Sequence, residues 1–218
     1  MEDAGNRRVS AARVLIVGAG DLGTGVAEEL LSRGFRHFVI ADTAMVPRDV
    51  TFRDVCLADI LVAELAGEGA SASSFTEDLR RMGGWNYEVI LCCDARFDDR
   101  MLANNRARQY SVCLVDGAVS GNRGRIQAVL FDGPCLQCLL TLRSARNPEP
   151  PSGMMVEAVA SAMADEAEKI VKGHMYECTA GVMYIEGPSM ERVVLNAGVS
   201  PACPYHKINN WQKSQTRK

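Results

Sequence analysis

Hydrophobic positions in this chain come in short continuous runs separated by glycine and polar punctuation. Residues 14–17 are Val, Leu, Ile and Val, a run of strand length that suits a parallel strand buried on both faces. Residues 18–23 form a glycine-bearing turn. Residues 24–33 then read as a helix with Val26, Ala27, Leu30 and Leu31 on one face, stopped by Gly34. Residues 37–41 make the second strand, which closes on Asp42 and completes a βαβ unit. Further on, residues 57–65 pattern as an apolar helix and 67–74 as a small, polar connection. Residues 88–93 read as a buried strand, 100–109 as a helix and 112–115 as the next strand.

The alternation then breaks down. Residues 127–131 pattern as a strand, now preceded by Gly121 and Gly124. Residues 147–153 contain Pro148, Pro150 and Pro151 and exclude helix or central strand, so they read as an extended crossover. A long helix rich in Ala, Glu and Met follows over 154–172. Residues 182–185 and 192–195 suggest a hairpin around Gly187 and Pro188, and the end from Asn209 reads as frayed. The pattern predicts an α/β fold with a Rossmann-like, doubly wound, mostly parallel sheet, extended by a C-terminal mixed or antiparallel part. Residues 1–134 would form the Rossmann-like part. Residues 135–218 would form the C-terminal part, continuous with the same domain.

Composition narrows the class. The chain has 218 residues, 47% of them hydrophobic, enough for one buried core. Twenty-four basic against 27 acidic residues give a net charge of −3, which excludes the basic footprint of a nucleic-acid binder. No apolar run approaches the roughly 20 residues that span a bilayer. The acidic, polar start lacks the basic and apolar regions of a secretory leader. The expectation is a cytoplasmic protein with no membrane or nucleic-acid partner. Eight cysteines are many for such a chain, and their spacing is not that of a secreted disulfide framework. Cys56, Cys92, Cys93, Cys113 and Cys178 read as small buried hydrophobes.

Two constellations carry chemistry. Gly18, Gly20 and Gly23 follow a strand and open a helix in a G-x-G-x-x-G spacing. The first glycine permits the tight turn, the second lets a phosphate approach the backbone, and the third permits close helix–strand packing. Free N–H groups at the helix start favour an anion there. Asp42 ends the next strand, where a carboxylate can accept from ribose hydroxyls. The loop alone does not choose between NAD and ATP. The second constellation is split: Cys135-x-x-Cys138 and Cys203-x-x-His206. Each pair can chelate one ion, and together they supply three thiolates and an imidazole, a closed tetrahedral set suited to structural zinc. Such a site would pin the C-terminal part to the middle of the chain.

The chain resembles the E1-like superfamily of adenylating enzymes, over roughly residues 13–206. The likeness rests on Arg13-Val14-Leu15-Ile16-Val17-Gly18-Ala19-Gly20-Asp21-Leu22-Gly23, on Asp94 followed by Arg100-x-x-x-Asn104, on Val115-Asp116-Gly117-Ala118-Val119-Ser120-Gly121 with Gly124, and on the split zinc pairs. The resemblance implies binding of ATP with Mg2+ and transfer of AMP to a carboxylate, often the C-terminus of a ubiquitin-like protein, by a homodimer. It implies that Gly18, Gly20 and Gly23 line the phosphate loop, that Asp42 holds the ribose, that Arg53 contacts the γ-phosphate and that Asp94 holds magnesium. Arg53 and Asp94 would be the catalytic residues. Asp116 and Arg123 fall in the stretch that faces substrate in relatives.

Departures from the family pattern shape the expectation. Asp21 replaces a loop glycine, Ala44 an acidic residue, Val50 an asparagine and Asp54 a glutamine, and no lysine occurs between residues 57 and 66. The crossover over 147–153 has no cysteine to form a thioester. The expected function is therefore an adenylyltransferase that activates a carboxylate without a thioester step. The acid would be a protein tail or a small molecule, such as the pyridinol carboxylate of iron-hydrogenase cofactor biosynthesis. Two alternatives are a non-catalytic E1-like scaffold or inactive subunit, and an NAD-dependent oxidoreductase.

Overall fold

A computed structural model describes residues 4–44, 55–93, 96–139 and 149–206. In chain order its elements are α1 (Ala4–Ala11), β1 (Arg13–Val17), α2 (Asp21–Ser32), β2 (His37–Ala41), α3 (Leu57–Gly67), β3 (Ser71–Phe75), β4 (Val89–Cys93), α4 (Phe97–Tyr110), β5 (Cys113–Ser120), β6 (Arg123–Val129), α5 (Gly153–Lys172), β7 (Val182–Glu186) and β8 (Glu191–Leu195). The strands make one sheet in the order β3-β2-β1-β4-β5-β6-β7-β8. The first five in that order run parallel, and β6, β7 and β8 add on antiparallel. The doubly wound α/β class and its antiparallel extension are as the sequence pattern predicts. The sheet runs on across residue 134, because β7 pairs with β6.

Strands β1 and β4 are buried on both faces, which explains their unbroken apolar runs. One core layer lies under α1, α2, α3 and α5 and takes Val14, Ile16, Leu91, Val115 and Ile126 from the sheet. The other lies under α4 and takes Leu15, Ile90, Leu114 and Val129. Helix α5 is the main cover of the first layer. Ser152 accepts from the Met155 N–H at its start, and Gly173 at φ +85° ends it in the left-handed conformation. Arg33 at the end of α2 grips α5 through Asp165 at 2.6 Å and Glu168 at 3.0 Å. The buried Glu166 accepts from Thr179 N–H and Oγ1 at 2.9 and 3.0 Å, tying the helix to the chain that enters β7.

Several elements differ from the sequence reading. Residues 71–75, within the stretch read as a polar connection, form the edge strand β3, paired in parallel with β2 from His37↔Ser71 to Ala41↔Phe75. An edge strand half open to solvent needs backbone partners rather than an apolar run, so Ser-rich sequence suffices. Strand β5 runs on to Ser120, because pairing with β6 holds it extended beyond the end of β4. Helix α1, which the pattern did not signal, buries Val9.

Helix α5 sits close against glycines of the sheet. A side chain at Gly124 would collide with Val159 Cγ2 and meet Met155 Sδ at 3.1 Å. Gly124→Val should therefore overpack this seam and cost about 1–3 kcal/mol, read as a lowered denaturation midpoint in chemical unfolding.

Candidate active site

Beyond β1 the chain winds to one side of the sheet through β2 and β3, and to the other through β4 and β5. The crevice at the C-terminal ends of β1 and β4 is where such a sheet receives a ligand. Gly18 leaves β1 at φ +101°, a left-handed turn that favours glycine. Gly23 lies one turn inside α2, and a Cβ there would run into the Gly18 carbonyl. Gly20 caps α2 in extended conformation, with open space where its side chain would be. The three glycines thus have the separate roles that their spacing suggests: turn, approach and close packing. Asp21 stands exposed in the first turn of α2.

Asp42 is half-buried beside this loop. Its carboxylate accepts from the Ala19 N–H at 2.6 Å and from the Ala44 N–H at 2.7 Å. Each oxygen keeps a further lone pair, so the group can brace the loop and still accept from a ligand. The cavity here measures about 470 Å³ and is lined by Gly18, Gly20, Asp42, Leu57, Cys93 and Arg96 among others. Arg96 and Asp99, also part of the wall, pair at 2.8 Å. No motif spacing marks these two in the sequence; they sit at the start of α4, the next helix after β4. Arg53 and Asp94, the expected catalytic residues, lie outside the described residues, as do Val50 and Asp54.

Asp116 and Arg123 are not together. Arg123 is exposed at the start of β6 and lines a separate cavity with Ser120, Glu149 and Glu186. Asp116 is fully buried: Arg100 donates to both its oxygens at 2.6 Å, and Arg125 donates to Oδ2 at 2.9 Å. The Arg100-x-x-x-Asn104 motif thereby acquires a physical meaning. One helical turn separates two buried side chains, and Asn104 Oδ1 accepts from the Leu136 N–H at 3.0 Å.

Leu136 belongs to the thiol-bearing turn. Cys135, Cys138, Cys203 and His206 come together, with one ligand atom from each lying within 4.8 Å of the others. The Cys135 sulfur is 3.8 Å from that of Cys138 and 3.5 Å from that of Cys203. A tetrahedral zinc with bonds of about 2.3 Å separates its sulfurs by roughly 3.8 Å, so this donor set fits the ion. His206 Nε2 is buried without a hydrogen-bond partner, and Arg108 approaches Nδ1 at 3.2 Å. Burial, reinforced by the Cys203 and Cys138 thiols, pushes the Cys135 thiol up to about 12. Burial and the Arg108 charge both lower the His206 pKa.

Residues 66–205 match the ThiF family. The chain belongs to that family. It is 26% identical over 227 residues to the SAMP-activating enzyme E1 of Haloferax volcanii, a match spanning 92% of this chain and 82% of that protein. It is 27% identical over 154 residues to the adenylyltransferase and sulfurtransferase UBA4 of Eremothecium gossypii, spanning 62% of this chain but 34% of that larger protein. Among solved structures, E. coli MccB with ATP superposes with a TM-score of 0.75 at 15% identity, covering 92% of this chain and 68% of MccB. The E1-like resemblance seen in the motifs is thus confirmed, and MccB shares the fold.

The loop glycines should separate experimentally. Gly23→Ala should unfold or strongly destabilise the protein, because backbone has to move. Gly20→Ala should leave the thermal midpoint nearly unchanged while weakening nucleotide binding in calorimetry, because a methyl group then occupies the approach to the helix start.

Proposed function

We propose that this chain is an ATP-dependent adenylyltransferase that activates a carboxylate as an acyl-adenylate. The observation that carries the reading is the cavity formed by the Gly18–Gly20 loop, the start of α2 and Asp42 at the switch point of the sheet. The family, relatives named as activating enzymes and adenylyltransferases, and the fold shared with ATP-bound MccB support it. In this reading the loop N–H groups hold the phosphates and Asp42 accepts from the ribose. Arg53 would meet the γ-phosphate. The acid's oxygen attacks the α-phosphorus, and pyrophosphate departs with the bonding electrons. Asp94 would hold magnesium, whose charge offsets the charge that develops on the phosphates.

The adenylate is proposed as the end product, with no thioester. The crossover over 147–153 contains no cysteine. Burial pushes Cys113 up to about 11; burial and the nearby Glu166 push Cys178 up to about 12. Burial also holds Cys92 well above the ordinary thiol range. Such thiols are poor nucleophiles at neutral pH. The four-residue cluster is proposed to hold structural zinc, which would tie the turn after β6 to the segment after β8.

Calorimetry should show ATP with magnesium binding in preference to NAD, and Asp42→Ala should weaken it about tenfold or more, the scale of one charge-assisted hydrogen bond. Pyrophosphate exchange should depend on added carboxylic acid, and mass spectrometry should find no acyl–cysteine adduct. NAD binding without ATP binding would sink the reading.

Metal analysis should find about one zinc per chain if the closed site forms. Cys203→Ser should lose the metal and lower stability. Acidification should release the metal too, because protons compete for the thiolates. Protein purified without chelator and free of zinc would refute this part.

A further inference from the structure

The cavity at the switch point has walls that the glycine loop and Asp42 do not account for. Leu57, Glu77, Leu79, Arg96 and Asp99 line it as well. With phosphates at the start of α2 and a ribose at Asp42, the rest of a nucleotide extends along the sheet toward β3. Glu77 and Leu79 follow β3 at that end. Leu79 belongs to the core layer under α4, whereas Leu57 packs against the layer under α2 and α3. The two leucines thus reach the cavity from opposite faces of the sheet and give it the apolar sides of a slot.

Arg96 lies beyond β4, but its charge is drawn toward this slot. Its Nε donates to Asp99 Oδ2 at 2.8 Å, and no other hydrogen bond holds it among the described residues. The Asp99 bond and charge do most to raise the Arg96 pKa, and the carboxylates of Asp42 and Asp78 add to them. Asp42 follows β2 and Asp78 follows β3, so these two pull from the slot side of the cavity. The Arg96 side chain is 70% exposed and lines the cavity, which leaves its plane open to a ligand.

Charge decides which part of a nucleotide Arg96 meets. Asp42, Glu77 and Asp99 set three carboxylates against this one guanidinium on the described wall. That surplus repels a phosphate. It does not repel a neutral aromatic ring, whose negative face is attracted to a guanidinium lying over it. We infer that Arg96, oriented by Asp99, stacks its guanidinium on the nucleobase and clamps it in the slot between Leu57 and Leu79. In naming ATP as the ligand, this rests on the adenylation reading above and deepens it. The contact itself is to the base, so it serves any ligand that carries adenosine. Asp99 acts through Arg96 and is a positioning residue.

Calorimetry with adenosine and with magnesium ATP tests this. Arg96→Met should weaken both by the same factor, about fivefold or more, because the base is common to them. Arg96→Phe keeps a plane without the charge and should restore most of the adenosine affinity. Arg96→Lys keeps the charge without a plane and should restore less. Asp99→Ala should weaken both ligands, with no further effect once Arg96 is replaced by Met. Three results each overturn the inference: unchanged affinities in Arg96→Met, a loss confined to ATP, which would make the contact one to phosphate, or rescue by Lys and not by Phe. The two readings fail separately. Acid-dependent pyrophosphate exchange with wild-type ATP affinity in Arg96→Met would keep the adenylation reading and remove the clamp. Arg96-dependent binding of adenosine and NAD without ATP binding would keep the clamp and remove the adenylation reading.

Discussion

The backbone of α2 can lie against the turn after β1 only because residue 23 has no side chain. A Cβ there would meet the Gly18 carbonyl. That contact sets where α2 begins and therefore where its unpaired N–H groups point. Asp42 accepts the Ala19 N–H and so locks the end of β2 to the same loop. The cavity, the approach at Gly20 and the ribose position of the proposed reaction all follow from this one approach. The left-handed φ at Gly18 is the local cost of making it.

The second half of the chain solves a different problem. Past β5 the sheet turns antiparallel and loses the regular helical crossovers that cover both faces of a parallel sheet. Helix α5 covers one face alone, using Gly117 and Gly124 to come close. On the other face, a turn bearing Cys135 and Cys138 meets Cys203 and His206 under α4. Asn104 fastens this turn to α4 through Leu136, one helical turn from the arginine that holds Asp116. The Arg100-x-x-x-Asn104 spacing therefore couples the thiol cluster to β5.

Features whose causes are local could be read in the sequence. Strand, turn, helix and acidic strand end fall within one βαβ unit, so glycine spacing and Asp42 are visible together. The two-residue gaps within each thiol pair are likewise local, although the pairing of the halves is not. Features fixed by long-range partners could not be read. Strand β3 is polar because it lies at the sheet edge, and only its ladder with β2 makes it a strand. The family resemblance places Asp116 in the stretch that faces substrate in relatives. Its burial depends on Arg100 from a helix and Arg125 from across a hairpin, partners that no spacing announces. Arg96 and Asp99, at the start of α4, line the cavity without any spacing that marks them.

A buried carboxylate between two arginines is an uneconomical way to stabilise a sheet. Desolvation consumes most of the Coulombic gain, and apolar residues of similar volume often do as well or better. Its geometry nevertheless does something that apolar packing cannot: two short bonds from Arg100 fix Asp116, and Asp116 in turn fixes the Arg125 fork. Helix α4, β5 and β6 are thereby held to one another by direction as well as by volume.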